Sequence, residues 1–137
     1  MDNSTEKDFD FNNWGLSKAW QFRFKFYEEN GLPKFKPTAQ YTEKFKALSF
    51  GQRFTLTSNI GACFFGPLYF LCVGMWRKAI VLWLLLFTIG FVILAFTGSR
   101  AIAICVNMAI SMTIANPAYY LHRVKKSKSF NIFEGLF

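Results

Sequence analysis

The sequence predicts an all-α integral membrane protein: a transmembrane helical hairpin preceded by a Gly-Pro-broken apolar segment and a cytoplasmic N-terminal helix. Ala79–Thr97 is a run of 19 residues without a charge, and Ala101–Leu121 is one of 21. As helices they would measure about 28 Å and about 31 Å, against a hydrocarbon core of about 30 Å. Only Gly98–Ser99–Arg100 lies between them. Glycine suits the left-handed position that ends a helix and serine the cap that starts one, so the two spans are expected to be antiparallel neighbours. Hydrophobic residues make up 53% of the 137 positions and 18 are Phe, well above the content of a soluble domain. A chain of this length has room for one compact unit.

Residues 1–58 read as a cytoplasmic N-terminal segment. Positions 1–12 are polar and acidic and are expected to be disordered. Ser17 can cap a helix over 17–29, which Asn30–Gly31 would end and Pro33 would prevent from continuing. Within it Trp20, Phe22, Phe24 and Phe26 alternate with polar residues at a strand-like period, but the start and stop residues favour helix. The aromatics would rest among lipid headgroups, beside Arg and Lys that meet anionic lipid, or pack on the membrane domain's own cytoplasmic face. Residues 31–40, with Pro33 and Pro37, read as an extended linker, and 44–58 as an interfacial helix. The first apolar run begins almost 60 residues in, so no cleaved secretory signal is expected.

Residues 59–121 form the expected membrane domain, with spans over 79–97 and 101–121. The preceding segment, 59–76, is apolar but cut by Gly66–Pro67. Proline cannot donate to the helix ladder and glycine eases a bend, so this segment is expected to enter the membrane and return; a kinked span is the alternative. Charge decides between them. With two spans, fifteen Lys and Arg lie on the cytoplasmic side and only Arg100 outside, whereas three spans divide them ten to six. The positive-inside rule selects two spans with both termini cytoplasmic. Trp76, Arg77 and Lys78 open the first span while Tyr119, Tyr120, His122 and Arg123 close the second, a pattern of aromatic and basic residues expected at that membrane face.

Along the last span Ala103, Asn107, Ser111 and Ala115 fall at steps of four, with Asn116 adding polarity. Small and polar residues in one stripe are expected to pack helices in lipid; a solute path along Asn107, Ser111 and Asn116 is the alternative. No Asp, Glu, Lys, Arg or His lies mid-span, which removes the usual mark of proton or ion coupling. The tail, 122–137, is a basic cluster followed by an apolar end, to be read as a membrane clamp with Phe130–Phe137 docked or as solvated chain.

No constellation for catalysis, cofactor or metal emerges. Cys63, Cys72 and Cys105 lie in apolar segments without a CxxC spacing, and His122 is the only histidine. They read as buried small hydrophobes, and a non-enzyme is expected. Aromatics interleaved with basic residues carry no nucleic-acid-binding signature. The expected partners are anionic membrane lipids, with a homo-oligomer or another membrane protein beside them.

Trp20 with Arg23-Phe24, the Gly31–Pro33 break, Gln52-Arg53, Asn59, FFGPLYF at 64–70 and GMWRKA at 74–79 resemble a small bacterial inner-membrane family. Its signature is of the type FGPFYFLxxGMWRKA, and it is catalogued as a domain of unknown function. The resemblance covers roughly residues 14–98. It implies an inner-membrane location in a Gram-negative bacterium and brings no catalytic residues. It singles out Phe65, Gly66, Pro67, Gly74, Met75, Trp76, Arg77 and Lys78 as the distinctive motif. The expected role is a scaffold, regulator or accessory subunit with a basic aromatic cytoplasmic face; a homo-oligomeric transporter or pore component is the alternative.

Overall fold

The computed structural model describes residues 15–137; the stretch expected to be disordered, 1–12, lies outside them. Among the described residues the fold is all-helical, with seven helices and no strand. α1 spans Lys18–Asn30 and starts as expected, with the Ser17 hydroxyl accepting from the Trp20 amide. Its alternating aromatics do not make a strand. Arg23, Phe24, Phe26 and Tyr27 are buried at helical spacing.

Two boundaries differ from expectation. The linker ends early, because the Thr38 hydroxyl caps α2, Ala39–Ala47. The single interfacial helix over 44–58 is instead two, α2 and α3, Phe50–Thr57. The break falls at Leu48–Ser49, where Ser49 and Gln52 form a reciprocal capping box. No Gly or Pro marks that break; the Ser-x-x-Gln spacing is its cause.

The segment 59–76 folds as α4, Ile60–Phe65, and α5, Pro67–Cys72, hinged at Gly66 with φ 51° and ψ −126°. Pro67 takes the first position of α5, where its missing N–H costs nothing. The Tyr69 ring lies over Gly61, so close that a β-carbon there would stand 2.9 Å from it, and the Tyr69 hydroxyl reaches the Asn59 amide at 3.1 Å. α5 therefore turns back along α4.

α6, Trp76–Thr97, and α7, Arg100–Arg123, form the hairpin. They are the two helices among the described residues long and apolar enough to cross a membrane. Gly98 is left-handed at φ 66° and the Ser99 hydroxyl caps α7. α4 packs on α7 and α5 on α6. Three contacts mark their level along α7: Asn59 meets Asn116, Gly66 faces Ser111, and Gly74 faces His122. Ser111 lies midway along α7, about 18 Å from Arg123. The α4–α5 pair thus rises to mid-hairpin and descends again.

The core follows from this. In α7 every residue from Ile114 to Leu121 is buried, whereas α6 beyond Leu86 and α7 before Ser111 hold no buried residue. The residues following α7 are docked, with Ile132 and Leu136 buried and the Phe35 amide donating to the Leu136 carbonyl at 2.8 Å. The segment from 15 onward and the C-terminus therefore sit at the same end of the hairpin, termed here the base.

Candidate functional site

Two polar assemblies occupy the base. One is a buried hub at the junction of α1, α3, α4, α5 and α7. Asn116, fully buried, donates to the Leu56 and Ser58 carbonyls at 3.0 and 3.2 Å and accepts from the Asn59 amide at 3.1 Å. Asn59 also caps α4 through the Ala62 amide. From α1, Arg23 donates to the Thr55 and Ser58 carbonyls, and the Tyr27 hydroxyl to the Leu56 carbonyl. The last carbonyls of α3, orphaned by the helix end, are thereby saturated by a cation and two neutral donors. Burial works against the charge of Arg23 and lowers its pKa. It likewise raises that of Tyr27, while the Tyr41 hydroxyl on α2 is pushed up to about 12.

The other assembly joins the start of α6 to the C-terminal segment. Lys78 is buried, 2% exposed, and its ammonium meets the Glu134 carboxylate at 2.9 Å and the Asn131 carbonyl at 3.2 Å. The Ser127 hydroxyl donates to the same carboxylate at 2.6 Å. Burial alone would raise the Glu134 pKa; the bonds from Ser127 and Lys78 outweigh it and hold the carboxyl below its ordinary 4.5. Arg77 donates to the Lys128 carbonyl at 2.7 Å, and its guanidinium stands 5.3 Å from the ring centres of both Trp76 and Phe130. Beside these lies a cleft of about 300 Å³ between the turn at Gly74 and Ser127–Ser129, with His122 on its wall.

The motif singled out by sequence is therefore divided. Phe65 is exposed, Gly66 and Pro67 make the hinge, and Gly74, with φ 87°, makes the turn into α6. Met75 is buried and Trp76 exposed. Lys78, expected among headgroups, points inward to Glu134. Tyr119 and Tyr120, expected in the same belt, are buried under α1: Trp20 stands edge-on to Tyr119 at 4.5 Å and Phe24 to Tyr120 at 5.6 Å. Tyr120 donates its hydroxyl to Glu28, which also pairs with Lys125 at 3.2 Å. The α1 aromatics thus pack on the hairpin's own base.

Asn107, Ser111 and Asn116 do not converge. Asn107 donates across the hairpin to the Leu86 carbonyl at 3.2 Å, Ser111 bonds the Asn107 carbonyl, and Asn116 belongs to the hub. The Asn107 Oδ1 is the one buried side-chain polar atom among the described residues without a hydrogen-bond partner. The three cysteines are free, Cys72 and Cys105 exposed rather than buried. Among the described residues no three His, Cys, Asp or Glu come close enough to share a metal ion.

Sequence reasoning passed over Tyr27 and Glu134, and met Arg23 and Tyr69 only as parts of the family's motifs. For Glu134 a signal exists: it is the only acidic residue after Glu43, set downstream of a run of cations. Arg23 and Tyr27 donate to carbonyls at a helix end and Tyr69 accepts from the Asn59 amide, pairings that no residue pattern announces.

A family model described as Protein of unknown function (DUF2628) matches residues 6–127. The Uncharacterized protein YigF of Salmonella typhimurium is 33% identical over 128 residues, covering 93% of this chain and 99% of that protein. Its namesake in Escherichia coli (strain K12) is 33% identical over 122 residues, covering 88% and 95%. No solved structure matches. Read from the Phe-Gly-Pro and Gly-Met-Trp-Arg-Lys motifs and matched over nearly the whole length, this chain belongs to the DUF2628 family.

Proposed function

We propose that this chain is a two-span protein of the bacterial inner membrane with both termini cytoplasmic, acting without catalysis as a scaffold, regulator or accessory subunit whose basic, aromatic base meets anionic lipid. The supporting observation is the uncovered half of the hairpin. Phe87, Phe91 and Phe96 are 73, 67 and 88% exposed, and Trp83, Leu84, Ile102 and Ile104 are also exposed. Left in water, each such side chain forfeits about 1.5–3 kcal/mol of burial, a total on the order of the whole stability of a small domain. Lipid removes that cost.

The other elements fit the same frame. α4 and α5, reaching Ser111 and returning, form a re-entrant pair, its backbone break covered by α6 and α7 as the hydrocarbon region requires. Their outer residues Phe64, Phe65 and Leu68 are exposed and apolar and face lipid. α3 presents Phe50 and Phe54, one turn apart and exposed, at headgroup depth. Ser111, Asn116 and the amide nitrogen of Asn107 are spent on bonds within the chain, which argues against a polar path through an oligomer.

The reading is tested by reporters fused after Met75, at Ser99 and at the C-terminus, together with alkaline carbonate extraction of membranes. Inside, outside and inside, with the protein retained in the pellet, is the expected result. An external C-terminus, or release by carbonate, overturns it.

A further inference from the structure

We propose that the cleft between the start of α6 and the C-terminal segment binds a phosphate group, that of an anionic phospholipid whose acyl chain runs along α6. The lipid source rests on the membrane reading above; the phosphate site itself does not.

Charge is the first reason. α6 begins at Trp76 with no side-chain cap and no acid in its first turn, and instead carries Arg77 and Lys78 there. Cations at the positive end of a helix dipole repel it, so this end calls for an anion. Glu134 answers Lys78 alone. Among the described residues neither Arg77 nor Lys128 forms an ion pair, and both line the cleft with His122, Ser127 and Ser129. One Arg77 nitrogen is held by the Lys128 carbonyl, which orients the remaining donors of a planar fork suited to an oxyanion. A second basic cleft of about 470 Å³, lined by His122, Arg123, Lys126, Ser127 and Lys128, adjoins the first through shared residues. Gly74, at φ 87°, makes the turn that sets this wall against His122.

The second reason is what adjoins the charge. Trp76, Ile80, Trp83 and Phe87 are all exposed and recur at helical spacing, forming an apolar stripe that starts at the cleft and climbs α6. A ligand that is anionic at one end and apolar beyond it matches both surfaces. An inorganic anion would use only the first, and a nucleic acid would leave the stripe bare.

The test uses the full chain, purified in neutral detergent and titrated with fluorescent phosphatidylglycerol in mixed micelles. Binding is expected to weaken about tenfold in H122Q/K128Q, the loss of two charge-assisted contacts, and to a smaller degree in K128Q, whose side chain is exposed and whose fold is checked by an unchanged melting midpoint. K34Q/K36Q, which removes two exposed charges from the linker, is expected to bind as the parent does. Equal binding by H122Q/K128Q and the parent, or an equal loss in K34Q/K36Q, overturns the site. Phosphatidylcholine binding as tightly as phosphatidylglycerol overturns anion recognition. Competition by inorganic phosphate at millimolar concentration keeps the phosphate site and overturns the lipid as its source. Carbonate release with the phosphate site intact sinks the membrane reading alone.

Discussion

The base and the tip of the α6–α7 hairpin are both apolar, yet they satisfy their polar groups in opposite ways. At the tip, Thr88 and Thr97 each fold their hydroxyl back to the carbonyl four residues earlier in their own helix, at 2.8 and 2.7 Å. A helix that closes its own hydrogen bonds is what lipid demands. At the base the bonds run between elements: Asn116 to α3, Arg23 to the α3 end, Lys78 to the C-terminal segment. Asn107, reaching across to Leu86, marks the border. Hydrophobicity alone does not separate the halves. What separates them is whether a polar side chain needs a neighbour, and so which half depends on the rest of the chain.

The contrast breaks most sharply at Asn116. Replacing it with Leu leaves the Leu56 and Ser58 carbonyls each short of one donor and removes one acceptor of Asn59, all in the buried hub. Each of these groups keeps a second partner, so the cost is that of three lost hydrogen bonds at about 1 kcal/mol each, about 3 kcal/mol in all, read as a large fall of the melting midpoint in detergent. Thr88→Val at the tip removes only an intrahelical bond and is expected to change stability by less than about 0.5 kcal/mol. Similar losses for the two would erase the distinction between halves. A smaller effect is expected from Gly66→Ala at the summit of α4–α5. Space is open there, the nearest atom being the Ser111 Oγ at 3.6 Å, so the cost is backbone strain at φ 51°, about 1–3 kcal/mol. An unchanged midpoint would mean that the summit is not held in this conformation.

Much of the tip was legible in the sequence, and little of the base was. Length, absence of charge and the Gly98–Ser99 link predict α6 and α7 because these depend on residues close in the chain. The Gly66–Pro67 break was equally local. The hub was not, since Arg23 serves carbonyls 32 and 35 residues away and Asn116 carbonyls 60 and 58 away. Tyr119 and Tyr120 misled for the same reason: an aromatic pair beside basic residues describes a membrane belt and a docked helix face equally well. Only α1 packing on them distinguishes the two. Lys78 read as a surface cation because its partner, Glu134, is 56 residues downstream.

The smallest expected effect concerns that pair. Because the Glu134 carboxyl is held below its ordinary 4.5, its contribution to docking the C-terminal segment is complete above about pH 4.5 and is lost as pH falls through the lowered value. Glu134 is partly exposed, at 34%, and solvent screens the pair from that side. Hydrogen exchange of Ile132 and Leu136, read from pH 6 down to pH 3 after correction for intrinsic rates, should therefore show protection falling only at the acid end. Glu134→Gln should show the lower protection throughout and lose the acid transition, since the amide cannot balance the buried Lys78. Exchange along the tip of the hairpin should follow neither change, because nothing there depends on the C-terminal segment. A parent profile that matches the variant's would show that the segment is held by Ile132 and Leu136 alone, and that the base, at this edge, is apolar packing like the rest of the core.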